Sequence, residues 1–368
     1  MPLCRAFSVL CILLAWAAAT LSFGSDAGAA ERLGLKSRLT EIYRAHRSAV
    51  VRVKVVTEKL DSSGKPTRWV SSGFFIDRKG RVLTNLATTD TPTRVWIEAD
   101  RLPFLAEMVG FDPETGLALL QVVKLPPRFE VIGLEESPET LPVGSLALAI
   151  TSPLEFDPTP FLGLVAGYES QFSSFRFPFT YMRVTIPAGP GENGSPVLDL
   201  EGRLAGISVA SLPDVRSSYL VPARAVRRIV QDLEELGRVA YADLPIRFAE
   251  RPDAQKLERL VVVDYVSPDS SASRADVRVG DIVRQLGSVT VRSLNDIRDA
   301  LFYSHPGQFI SLEVERDGRR IPFALPLEEK TALHPPPPPP AAPEAEKRQP
   351  DQNPPPPGLA PPTRPQTG

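Results

Sequence analysis

Cysteine and histidine are scarce in this chain of 368 residues, which holds two of the first and three of the second. Both cysteines, Cys4 and Cys11, lie in the N-terminal segment. Once that segment is removed the chain has no disulfide, no thiolate nucleophile and no cysteine metal site, so the fold must rest on its core. An excess of either charge is also missing. The formal net charge is −2, which offers no global electrostatic case for a nucleic-acid or polyanion partner. No cofactor is implied by any residue pattern. The length and a 42% hydrophobic content suffice for two ordinary domains, each with its own core.

Long apolar runs are absent except at the start. Arg5 precedes an apolar stretch from Ala6 to Phe23, and small residues follow at Ala27-Gly28-Ala29-Ala30. This is the layout of a secretory signal peptide over residues 1–30, with an A-x-A cleavage site. The run is slightly short for a membrane span, so cleavage is expected rather than retention as an anchor. The expected location is outside the cytoplasm, in the periplasm or cell envelope or secreted.

Leu35, Leu39, Ile42, Tyr43 and His46 recur at helical spacing and predict a short amphipathic helix. From Ala49 to about Val221 the pattern becomes one of short strands. Val51, Val53 and Val55 alternate with Arg52 and Lys54, and short apolar runs recur between Gly, Pro and Asp turns. That predicts an antiparallel sandwich or barrel. A helix closes the region, with Pro222 in its first turn, an apolar stripe through Val226, Ile229, Val230, Leu233 and Leu236, and Gly237 as its cap. A smaller mixed domain follows over 239–328. Residues 329–368 contain runs of consecutive prolines and few apolar residues, and predict an extended, disordered tail.

Three stretches of the larger domain are specific. Ser72-Gly73-Phe74-Phe75-Ile76, a turn, then Val82-Leu83-Thr84-Asn85 is the first. Val109-Gly110-Phe111-Asp112-Pro113-Glu114-Thr115-Gly116-Leu117-Ala118-Leu119-Leu120 is the second. Pro190-Gly191-Glu192-Asn193-Gly194-Ser195-Pro196-Val197, with the strand at Leu204-Ala205-Gly206-Ile207, is the third. In order and spacing they resemble the HtrA (DegP-like) serine proteases of trypsin type. Ser267 to Ala272 with Arg278-Val279-Gly280-Asp281-Ile282-Val283 resembles the PDZ domain that follows the protease in that family. The resemblance implies a mainly β fold, a chymotrypsin-like double β-barrel over 31–238 followed by a small α+β PDZ domain. Trimers are common in the family, which implies a homo-oligomer.

Acyl transfer by such an enzyme needs a hydroxyl nucleophile, an imidazole base and a carboxylate that orients it. Carried over position by position, the resemblance puts the imidazole at Ala87, the carboxylate at Gly116 and the nucleophile at Asn193. All three side chains are thus replaced. Independently, none of His46, His305 and His334 falls within the strand region. Ser195 is the serine beside the nucleophile turn, but it takes a glycine position before a proline. A Ser-Lys pair stays open by count alone, though no motif proposes the lysine. Gly191 and the backbone N–H of Asn193 match the family's oxyanion-hole donors, with Glu192 nearby expected to disfavour an anion.

In the PDZ domain the turn that binds a terminal carboxylate matches Asp243-Leu244-Pro245-Ile246. Proline removes an N–H donor and Asp243 adds a like charge, so C-terminus recognition is expected to be impaired. Leu244, Pro245 and Ile246 with Ile297 and Leu301 are the expected peptide-binding residues, although the helical ones also suit the domain core. The leading expectation is a catalytically inactive HtrA-like homologue that binds polypeptides or scaffolds partners in the envelope. An active endopeptidase with a non-standard arrangement is the alternative, and a structural envelope protein the third.

Overall fold

The computed structural model describes residues 34–86, 92–154, 156–172, 175–212, 215–252 and 259–330. A helix, α1 (residues 34–46), opens the described chain and leads through a 3₁₀ turn at Arg47–Ala49 into the strands. Six of these, β1 (Val50–Leu60), β2 (Pro66–Phe75), β3 (Arg81–Asn85), β4 (Pro92–Ala99), β5 (Leu102–Phe111) and β6 (Leu117–Val122), close a barrel in the order β1-β2-β3-β6-β5-β4. The next six are β7 (Leu146–Thr151), β8 (Thr159–Phe172), β9 (Phe175–Val184), β10 (Pro196–Leu198), β11 (Leu204–Leu212) and β12 (Ser217–Pro222). They close a second barrel in the order β10-β11-β12-β9-β8-β7.

The alternation read at Val51, Val53 and Val55 places these side chains inside the first barrel, packed with Phe75, Val82, Ile97 and Leu120. Phe74, Leu83, Leu117 and Leu119 point the other way. They meet Phe179, Leu198 and Ile207 of the second barrel and Val226, Ile229 and Leu233 of α2 (Ala223–Leu236). Burial on both faces explains why Leu117-Ala118-Leu119-Leu120 reads as an unbroken apolar run. Pro222 is the N-cap of α2, and the Gly237 N–H closes its end on Leu233 O at 3.1 Å. Leu236, counted into the apolar stripe from sequence, is exposed.

The smaller domain has its own core, with Val263, Leu286, Leu312 and Val314 at its centre. Its sheet runs β14 (Ile246–Pro252), β15 (Arg259–Val266), β16 (Ile282–Leu286), β18 (Phe309–Arg316) and β19 (Arg319–Pro326), with β17 (Val289–Thr290) paired to β16. Two short helices, α3 (Ser271–Arg274) and α4 (Leu294–Phe302), complete it. The short strands β13 (Ala242–Asp243) and β20 (Glu328–Glu329) pair with each other, so regular pairing runs one residue past the boundary read from the sequence. The apolar segment at 1–30 and the proline-rich tail lie outside the described residues, apart from the tail's first two positions.

Candidate functional site

The turn from β5 to β6 carries the carboxylate position. Asp112 organises it from a fully buried site: Oδ2 accepts from Thr115 Oγ1 at 2.5 Å and from Tyr241 OH at 2.8 Å. Burial pushes the Asp112 carboxyl up, against hydrogen bonds that favour its charged form. Asp112 therefore ties the turn to the entry of the second domain. Gly116, where the resemblance expects the carboxylate, has φ +73°. A Cβ there would stand 2.7 Å from Asn85 Nδ2 and 3.1 Å from Leu86 O. Asn85 Nδ2 donates to Thr115 O at 2.9 Å, and the Leu86 N–H to Gly116 O at 2.7 Å. The space a carboxylate would enter is filled by the Asn85 amide, in a backbone conformation that favours glycine. Ala87, the imidazole position, lies outside the described residues.

The loop before β10 carries the nucleophile position. It is held between the barrels: the Ser72 N–H donates to Asn193 O at 2.8 Å and the Gly194 N–H to Ser208 O at 2.6 Å. Gly194 has φ +84°, and a Cβ on it would collide with Ser72 O. Ser195 is 1% exposed. Its Oγ donates to Glu192 O at 2.6 Å, so its proton goes to a carbonyl, not to a base. The Glu192 side chain is only 5% exposed and folds back into the second barrel. Its Oε1 accepts from Thr151 Oγ1 at 3.0 Å, and Oε2 accepts from the Gly189 N–H. The charge expected at the mouth of the loop is thus consumed inside it.

Ser72 Oγ donates to Gly191 O at 3.0 Å and accepts from the Ser152 N–H at 2.9 Å. Sequence reasoning did not single out this bridge, since Ser72 reads only as the start of its strand motif and Ser152 lies in no motif. The N–H groups of Gly191 and Asn193 find no acceptor among the described residues. Val70 and Leu154 flank Gly191 as an apolar lip, with Leu154 itself at φ +42°. Among the described residues no histidine enters this cleft. His46 packs beside the turn at Gly202, and burial lowers its pKa. His305 Nε2 lies 3.7 Å from Asp232 Oδ1 of α2.

In the smaller domain, Leu244, Ile246 and Ile297 are buried in its core and Leu301 packs partly against them. The Leu244 N–H is taken by the Asp243 carboxylate at 2.8 Å. Pro245 O accepts from the Ser267 N–H at 3.0 Å. Across the groove, Glu250 on β14 accepts from the Leu294 N–H at the start of α4, at 3.0 Å. In the turn expected to bind a terminal carboxylate, the Leu244 N–H is therefore occupied by a carboxylate of its own chain. The outer side of α4 meets β9: Asp299 accepts from the Thr180 N–H and Oγ1, both at 2.7 Å, and Arg298 donates to Phe177 O at 3.2 Å. Burial pushes the Asp299 carboxyl up.

Comparison with known proteins agrees with this layout. Residues 71–207 match the trypsin-like peptidase domain and residues 242–327 the PDZ domain. The chain is 26% identical over 284 residues to the periplasmic pH-dependent serine endoprotease DegQ of Escherichia coli K12, covering 74% of this chain and 62% of that one. To the periplasmic serine endoprotease DegP of the same organism it is 27% identical over 277 residues, covering 71% and 57%. The chain thus spans only about three-fifths of the length of these relatives. Among solved structures, the HtrA-type protease AlgW with a tripeptide aligns with a TM-score of 0.66 at 20% identity, over 80% of this chain and 97% of that one. The serine endoprotease from Yersinia pestis aligns with a TM-score of 0.58 at 22% identity, over 80% and 98%. At these identities the structures establish the fold: a trypsin-like double barrel followed by a PDZ domain.

Proposed function

We propose that this chain, which has the HtrA/DegP domain plan, no longer hydrolyses peptide bonds and serves as a polypeptide-binding or scaffolding protein of the cell envelope. The observation that carries the reading is the state of the nucleophile turn. Asn193 stands at the nucleophile position, and the hydroxyl beside it, Ser195 Oγ, is buried and donates to Glu192 O. An amide nitrogen has its lone pair delocalised into its carbonyl and does not attack a peptide bond. A serine hydroxyl attacks only as a base withdraws its proton, and a backbone carbonyl is no base. Gly116 leaves nothing to orient an imidazole, and its turn is packed against Asn85 in a way that suits only a small residue. The periplasmic names of the relatives support the envelope location, as does the apolar N-terminal segment. Among the described residues no helix is long and apolar enough to cross a membrane.

A second reading, an active endopeptidase with a non-standard arrangement, is favoured by the names of those same relatives, all serine endoproteases. It also draws on the two N–H groups at Gly191 and Asn193, which could receive a developing oxyanion. Incubation of the full chain with casein and with a serine-directed phosphonate separates the two. The first reading expects intact casein, retained on the protein, and no labelled serine. Reproducible cleavage together with labelling of any one serine would establish the second.

A further inference from the structure

A cavity of about 270 Å³ opens beside the 3₁₀ turn at Arg47–Ala49, bounded by the turn between β4 and β5 and by the segment between β7 and β8. Four arginines line it: Arg47, Arg52, Arg101 and Arg128. Three carboxylates line it too, but two of them are already engaged. Glu98 receives Arg52 Nη1 at 2.7 Å and Lys54 Nζ at 2.6 Å, and Asp157 receives Arg101 at 3.1 Å. Asp100 is exposed at the turn. Arg47 and Arg128 have no ion pair among the described residues. Among the described residues that line it, four arginines stand against three carboxylates.

Arg52 is the decisive residue. It is 5% exposed, and Nη2 is used on Phe156 O at 2.8 Å, yet its Nε is buried with no hydrogen-bond acceptor. A buried charged donor without an acceptor is costly and uncommon in folded proteins. Arg52 lines a polar space large enough for a small molecule, and so do two arginines, Arg47 and Arg128, that lack, among the described residues, the ion pair Arg52 has with Glu98. The guanidinium fork suits planar or tetrahedral oxyanions alike.

We propose that this cavity binds a small, multiply charged oxyanion, a phosphate or a dicarboxylate, held by Arg47 and Arg128 with the paired Arg52 beside them. One wall of the cavity is Ser152. Its N–H is the group that Ser72 Oγ accepts from while holding Gly191 O, so the bound anion would abut the support of the nucleophile loop. Nothing in the proposal depends on whether that loop is catalytic.

Calorimetric titration of the full chain with sodium phosphate, and separately with sodium succinate, tests it at constant ionic strength. One saturable site is expected for at least one of the two anions, and the tighter of them identifies the chemistry. Arg47→Gln with Arg128→Gln removes two charge-assisted contacts from exposed positions and should weaken that site roughly tenfold or more. Arg292→Gln, on the PDZ domain, should leave it unchanged. Unaltered circular dichroism of the double variant separates lost binding from lost folding. Absence of a saturable site for both anions, or a double variant that binds as the parent does, would overturn the proposal.

Discussion

At the scale of single residues, the two described positions that the family resemblance assigns to nucleophile and carboxylate differ in their surroundings. Asn193 replaces one side chain by another, whereas Gly116 is embedded in a turn whose neighbour, Asn85, occupies the space in front of it. Restoring histidine, aspartate and serine together, as Ala87→His, Gly116→Asp and Asn193→Ser, is therefore expected to give no phosphonate labelling. The new carboxylate must displace the Asn85 amide and adopt φ +73°. Labelling of the restored serine would show that the turn can reopen. Gly194 offers a test of stability instead. It combines φ +84° with a Cβ position that collides with Ser72 O. Gly194→Ala should cost about 3 kcal/mol or more in urea unfolding, and a loss under ~1 kcal/mol would mean that the loop shifts freely. The sequence draws attention to these positions because the motifs around them match the family's order and spacing. The inward turn of Glu192 was not, since nothing in its neighbours announces that Thr151 and the Gly189 N–H will receive it.

At the scale of elements, the PDZ domain shows where sequence patterning runs out. Ile297 and Leu301 read as groove residues with the core as their other possible place; Ile297 lies in the core cluster and Leu301 packs against it. On α4 the charged positions Arg298 and Asp299 look like a solvated helix face. They are instead the contact with β9, because their charges end on Phe177 O and the Thr180 N–H and hydroxyl. Periodicity cannot separate a face that meets water from one that meets another domain's backbone. The turn expected to bind a terminal carboxylate yields a binding prediction. With Leu244 N–H held by Asp243, and no N–H at Pro245, peptides with free and amidated C-termini should bind about equally. Asp243→Tyr with Pro245→Gly should create a preference for the free carboxylate of roughly tenfold or more by fluorescence anisotropy. A strong preference in the unaltered domain would place the carboxylate on other donors.

Asp299 carries a pH dependence at the same scale. Its carboxyl is raised from an ordinary value of 3.8, chiefly by burial. Between that value and its folded value the folded chain binds more proton than the unfolded one, so stability falls as pH rises through this window. Among the groups facing it, Thr180 and Arg298 favour its charged form and temper the effect, whereas Asp296 adds to it. Asp299→Asn cannot titrate. The stability of the parent relative to this variant should therefore decline as pH is raised from about 4 through the acid range, measured by urea unfolding at each pH. A difference that stays flat or grows with pH would place Asp299 in a better solvated setting.

At the scale of the molecule, the question is whether the PDZ domain is a separate module or part of the peptidase-like body. The junction is built from α2, the Tyr241 segment and the end of α4. The Phe302 ring is fully buried and stacks on Phe179 of β9 with centroids 3.9 Å apart, and the Arg228 guanidinium lies over the Phe302 ring, 4.6 Å from its centroid. Arg228 in turn donates to Ala240 O and Ser304 O, and Asp232 accepts from the Ala240 N–H. Phe302 also belongs to the core cluster that holds the two barrels together, not to the cluster inside the PDZ domain. A side chain that lies on one domain and packs into another couples their unfolding. Phe302→Ala should cost ~3–5 kcal/mol, the range for a buried aromatic. If the junction is an integral interface, the loss lowers a single transition that hydrogen exchange reports in β9 and β15 alike. Early opening of β15 with β9 fully protected would instead show that the domains unfold separately.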